Sequence, residues 1–133
     1  MTPTYRYRRI WLLLGWGMVV TVVILSLIPL EIDLGHNRDK FAHFAAYGGL
    51  SFWFGMLIEG RGRELRVAAA FALLGVVLEF LQGLTDYRTF EIADMIANAT
   101  GAALGWGLAQ TPLAKALGWI ERLIAAASRG RGP

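Results

Sequence analysis

The sequence predicts an all-α polytopic membrane protein: an antiparallel bundle of four transmembrane helices followed by a C-terminal interfacial amphipathic helix. Three observations carry this reading. The 133 residues are 56% apolar and only 17% charged, against roughly 45–50% and about 25% in soluble domains. The apolar residues gather into four runs, 10–30, 41–58, 67–84 and 93–109, each close to the ~20 helical residues that cross a hydrocarbon core. The connections, 31–40, 59–66 and 85–92, are so short that successive helices must be antiparallel neighbours. Disorder is excluded, because it needs low hydrophobicity and high charge. The absence of cysteine excludes disulfides, thiolate nucleophiles and cysteine metal sites. A single domain over 1–133 is expected.

The first run follows Arg6, Arg8 and Arg9, as a signal peptide would. It is longer than the roughly 7–15 apolar residues of such a segment, and no small-residue cleavage site follows. Pro29, Glu31 and Asp33 stand there instead, so it reads as an uncleaved span. The second run offers Gly48 and Gly55 as small positions. The fourth carries Gly101-x-x-x-Gly105, a spacing that lets helix backbones approach where lipid competes with Leu for side-chain packing. After Pro112, Leu113, Leu117, Ile120, Ile124 and Ala127 recur at helical spacing, with Lys115, Glu121 and Arg122 on other faces. That pattern predicts an amphipathic helix over 112–127, lying along the inner membrane surface with Trp119 at head-group level.

Orientation follows from the basic residues in the flanks. Arg6, Arg8, Arg9, Arg61, Arg63, Arg66, Lys115, Arg122, Arg129 and Arg131 fall on one side; Arg38, Lys40 and Arg88 fall on the other. Ten against three places both termini in the cytoplasm. The net charge of +3 then reflects topology and anionic lipid. No basic patch with interleaved aromatics marks a nucleic-acid surface, so no nucleic-acid partner is expected.

Ionisable residues inside spans are costly, which makes their positions informative. The runs contain only His43, Glu79 and Asp94, with the amides Gln82 and Asn98. In the deduced topology all lie within roughly 8 Å of the outer boundary at 1.5 Å per residue. Asp39, His43 and Tyr47 form one stripe; Glu79 and Gln82 share a face; Asp94 and Asn98 continue into Gly101 and Gly105. Residues on a packing face point into the bundle. The sequence therefore predicts an outward-open pocket lined by Asp39, Lys40, His43, Tyr47, Glu79, Gln82, Asp94 and Asn98, with Arg88 as a cationic lid. His36 reads as a solvated loop residue.

The ordered pattern Ser26-x-x-Pro29, Asp39-Lys40-x-x-His43-x-x-x-Tyr47, Glu79-x-x-Gln82, Arg88 and Asp94-x-x-x-Asn98-x-x-Gly101-x-x-x-Gly105 resembles the VanZ-like family of small membrane proteins, named after a teicoplanin-resistance protein. The resemblance spans about residues 26 to 105. It implies a bacterial inner-membrane location, a role at the cell envelope and a link to glycopeptide antibiotic sensitivity. It supplies no biochemical activity.

Three readings of the polar residues stay open. They are interhelical glue, a binding site, or a catalytic site with His43, Glu79 and Asp94 as candidates. Lys40 and Arg88 suit a phosphate or carboxylate, and an oriented His43 with a protonated Glu79 suits acid–base chemistry on water. No serine or threonine stands at triad spacing. A metal on His43, Glu79 and Asp94 is disfavoured by the lack of HxxxH or DxD spacing, so neither metal nor cofactor is expected. Transport is disfavoured because the inner halves of the spans have no polar lining. The leading expectation is recognition of a phosphate- or carboxylate-bearing envelope molecule, a lipid head group or a lipid-linked cell-wall precursor. The alternative is a membrane-embedded hydrolase or transferase acting on it.

Overall fold

The computed structural model describes residues 5–29 and 36–129, with side chains from 39 onward in the second segment. Most of the 31–40 connection, the His36 side chain and Arg131 lie outside the described side chains. Five α-helices follow one another: α1 Arg8–Leu27, α2 His36–Leu57, α3 Arg61–Gly83, α4 Ile92–Ala109 and α5 Ala116–Arg129, the last preceded by a 3-10 turn over Pro112–Lys115. The described residues contain no strand. Helices α2 and α3 start five or six residues before the apolar runs, because their charged leading turns are helical too.

Local chemistry explains the breaks. Gly60 precedes α3 with φ of 111°, a backbone region that glycine occupies without steric cost. Pro112 opens the turn before α5, where its missing N–H is harmless, and Thr111 Oγ1 accepts the Leu113 N–H. After α3, Thr85 folds back to bond the Gln82 carbonyl through both its N–H and its hydroxyl.

The strongest packing joins α2 and α4, which are not consecutive. A Cβ added to Gly101 would sit 2.2 Å from the Phe44 carbonyl oxygen, and one added to Gly105 would sit 2.2 Å from that of Gly48. Gly55 faces the Ala109 methyl group, which would lie 2.5 Å from an added Cβ. The numbers rise together along both helices, so α2 and α4 run parallel and touch backbone to backbone. Helix α3 packs antiparallel against α4, with Gly75 beneath Asn98. An aromatic and aliphatic core of Tyr47, Leu50, Phe54 and Phe71 fills the space behind this seam.

Helix α1 is more peripheral. Only Gly15 and Val19 are buried in it, and an apolar groove of about 530 Å³ remains between it and α2. It is held at one end by the Trp53 indole bonding the Trp11 carbonyl at 3.0 Å. At its other end, Gln82 and Tyr87 bond the carbonyls of Ser26 and Leu27 at 2.8 and 2.6 Å.

Among the described helices α1 alone is long and apolar enough to cross a membrane, with a mean hydropathy of 2.4. The four-span expectation is met only in its all-helical part. Helices α2, α3 and α4 have the length, but charged leading turns, glycines and inward polar groups dilute their apolar surface.

The amphipathic helix expected over 112–127 is present as the Pro112–Lys115 turn and α5, but its docking departs from expectation. Leu117 is fully buried against Met56 and Leu57, and Glu121, assigned to a polar face, turns back to the chain start. Its carboxylate accepts the backbone N–H groups of Arg6 and Tyr7 at 2.9 Å each and the Trp11 indole at 2.8 Å. Tyr7 has no side-chain cap of its own, so Glu121 caps α1 from 114 residues away. Helix α5 is docked there, while Leu123 and Ile124 stay exposed.

Candidate functional site

Parallel α2 and α4 begin at the same end of the molecule, and antiparallel α3 finishes there. The arrangement brings Asp39, Lys40, His43 and Tyr47 of α2 to the level of Asp94 and Asn98 of α4 and Glu79 and Gln82 of α3. Glycine contact fixes the depth of this meeting: Gly101 lies two turns below Asp94 on the face that carries both.

Lys40 Nζ sits between two carboxylates, 2.6 Å from Glu91 Oε2 and 3.0 Å from Asp94 Oδ1. His43 Nδ1 lies 3.1 Å from Asn98 Oδ1. An amide oxygen only accepts, so Nδ1 carries the hydrogen. The other imidazole nitrogen, Nε2, faces Asp39 Oδ1 and Asp94 Oδ2, both at 3.9 Å. That is too long for a hydrogen bond. One oxygen of Asp94 thus serves Lys40 and the other faces His43.

Glu79 is 1% exposed. Its Oε1 accepts the Glu91 backbone N–H at 2.7 Å, while Oε2 is buried with no hydrogen-bond partner among the described residues. The charges of Asp94 and Arg88 act on this carboxylate, and so does His43 when protonated. Asp94 and Asn98 are 5% and 2% exposed. The polar residues are therefore packed together rather than spread over an open hollow.

Not every predicted residue faces the cluster. Gln82 is buried but spends its amide on Ser26, which makes it a tie between α3 and α1. Tyr47 belongs to the apolar core. Arg88, half-buried in the connection, contributes its charge to Glu79. Sequence reasoning missed Glu91, which joins the cluster through both backbone and side chain. The available signal was its position three residues before Asp94, one turn away at a helix start.

Among the described residues the cluster holds four carboxylates, Asp39, Glu79, Glu91 and Asp94, against the cations of Lys40 and Arg88. Within it the chemistry is that of an oriented imidazole, a fixed ammonium and a buried acid with a spare oxygen.

Comparison with known proteins agrees with the residue pattern. Residues 2–115 match the family described as VanZ/LLP1. The chain is also 31% identical over 70 residues to the uncharacterized protein C11E3.10 of Schizosaccharomyces pombe, a match covering 50% of this chain and 43% of that protein. The chain thus spans less than half of that relative. No solved structure matches it significantly. With nearly the whole helical bundle inside the matched region, the chain belongs to the VanZ-like family.

Proposed function

We propose that this protein is a multi-pass membrane protein that recognises the phosphate- or carboxylate-bearing head group of an envelope amphiphile at the outer end of its bundle. The observation that carries the reading is the joint placement of polar and apolar surface. Charged groups from three helices and a connection converge at one end, and exposed apolar side chains surround them, among them Phe41 at 70%, Leu84 at 82% and Ile92 at 64%. A ligand with a charged head and a hydrocarbon body matches that surface. Leu73, Ile96 and Leu104 are likewise exposed on α3 and α4, which supports four spans despite the diluted hydropathy. The basic residues favour cytoplasmic termini in an inner membrane. Similarity to a yeast protein favours a lipid head group over a bacterial cell-wall precursor. A role in glycopeptide sensitivity would be a downstream consequence of binding such molecules.

The test is binding of short-chain phosphatidic acid and phosphatidylglycerol to the purified protein in micelles, with phosphatidylcholine as reference. Preference for the anionic lipids, lost in Arg88→Gln, is the expected result. Equal binding of all three, or binding unchanged by that substitution, overturns the reading.

A second reading, chemistry on the same head group, is favoured by one observation. His43 is held by Asn98 so that Nε2 presents a lone pair between two carboxylates. Such an imidazole, when neutral, can take a proton from water as the water oxygen attacks phosphorus. The P–O bond to the lipid alcohol breaks, and the departing oxygen takes the proton back from the imidazolium. Release of phosphate or alcohol from a lipid phosphate by the wild-type protein, absent in His43→Ala, would establish it.

A further inference from the structure

We propose that Asp39, His43 and Asp94 form a binding site for one borderline divalent cation of the Zn²⁺ or Mn²⁺ class. The inference deepens the head-group reading and rests on it for its role, because the cation would link an acidic cluster to an anionic ligand.

The geometry comes first. One donor atom from each residue lies within 4.8 Å of the other two. His43 Nε2 is 3.9 Å from Asp39 Oδ1 and 3.9 Å from Asp94 Oδ2. Metal–ligand bonds of about 2.0–2.2 Å put neighbouring ligand atoms roughly 3.0–3.6 Å apart. The two 3.9 Å separations close by a few tenths of an ångström, and the two carboxylates, at most 4.8 Å apart, close by side-chain rotation onto the same ion. Two carboxylates and one imidazole are a mixed oxygen and nitrogen set that suits Zn²⁺ or Mn²⁺ better than Mg²⁺ or Cu⁺.

Three further features make this more than a group of acids. Asn98, itself 2% exposed, accepts from His43 Nδ1 at 3.1 Å. A second hydrogen bond of this kind sets the tautomer of a metal-binding histidine and aims its other nitrogen at the ion. Lys40 occupies Asp94 Oδ1 at 3.0 Å, which leaves Oδ2, the oxygen facing His43, as the donor. Finally, the buried Glu79 Oε2 has no hydrogen-bond partner among the described residues, on a side chain at the same end of the bundle as His43 and Asp94. A positive charge between those two residues would stabilise it.

The sequence disfavours a metal because it shows no HxxxH or DxD ligand spacing along the chain. Here the third ligand comes from a helix 51 residues further on than His43, brought alongside by the parallel glycine seam. In this arrangement His43 is a ligand, and an acid–base role in any chemistry passes to Glu79.

The experiment uses the full chain in detergent, stripped with a chelator and titrated with Co²⁺ as a visible probe, then with Zn²⁺ in competition. One equivalent should bind, and His43→Gln and Asp39→Asn should each weaken binding by roughly tenfold or more. In a His36→Gln background, the ¹⁵N signal of the remaining imidazole should move at Nε2 upon Zn²⁺ addition. This readout keeps the test intact if the ligand variants fail to fold. No bound ion in the wild type, unchanged affinity in both folded variants, or an unmoved imidazole signal overturns the proposal. Anionic-lipid binding that persists in chelator while no ion binds removes the metal and leaves the head-group reading standing. Stoichiometric metal without any lipid preference does the reverse.

Discussion

The Oε1 atom of Glu79 accepts the backbone N–H of Glu91 at 2.7 Å, so the buried acid of α3 also fastens the residue that caps α4. A negative group at a helix N-terminus is favoured by the aligned backbone dipoles. Glu79→Gln keeps a carbonyl oxygen for that N–H and should fold with little loss. Glu79→Leu leaves the N–H without its partner, a loss of about 1–3 kcal/mol. Thermal midpoints of the two variants in detergent separate these outcomes. Equal midpoints would show that the contact contributes nothing to the fold.

Backbone contact between α2 and α4 predicts a sharp ranking among glycines. Gly101→Ala and Gly105→Ala each drive a methyl group into a carbonyl oxygen of α2, and overpacking of this kind costs about 1–3 kcal/mol or more. Gly17→Ala and Gly107→Ala meet nothing within 4 Å and should be neutral or mildly stabilising, since alanine favours helix. A denaturation series on the four variants checks the order.

Glu121 makes stability depend on pH through the cluster of donors around its carboxylate. Burial alone raises its carboxyl. The N–H groups of Tyr7, Trp11 and Arg6 and the charge of Arg6 outweigh that effect and hold it below its ordinary value of 4.5. A group whose pKa is depressed by folding contributes fully above the ordinary value, and the contribution disappears as pH falls through the folded one. Glu121→Ala should therefore lose about 1 kcal/mol at neutral pH, as other cap deletions do. The gap to wild type should close as pH falls below the ordinary value of 4.5 and through the lower folded one. A gap that stays constant into acid would assign the contact a purely steric role.

Topology can be read with engineered cysteines on a background that has none. Asp86 and Gly62 are both exposed, in the α3–α4 connection and the first turn of α3. In intact cells, Asp86→Cys should react with an impermeant thiol reagent and Gly62→Cys should not. The opposite labelling would move the polar cluster to the cytoplasmic side.

Local periodicity made part of this legible. Asp94, Asn98, Gly101 and Gly105 share a face because helical geometry leaves no alternative, and Asp39 and His43 share another. Short connections identify neighbours along the chain but not across the bundle. The parallel contact of α2 with α4, which joins those two faces, therefore stayed hidden. Glu91 was hidden for a different reason: it sits at a helix boundary, the least readable part of a sequence. The reach of Glu121 to the chain start leaves no trace in any local window. It depends on where α5 lands after the Pro112 turn.

The glycine seam has one consequence for motion. Asp39 and His43 ride on one wall of it, Asp94 and Asn98 on the other, and helices in backbone contact slide poorly past each other. The half of the cluster they carry behaves as a fixed jaw. Any breathing that admits a ligand to Glu79 falls to the movable jaw, the end of α3 and the connection over 84–91, held by polar ties such as Gln82 on Ser26 and Tyr87 on Leu27. Amide exchange should accordingly be fastest in that connection and slowest along 44–55 and 98–109, with the entrance opening on one side only.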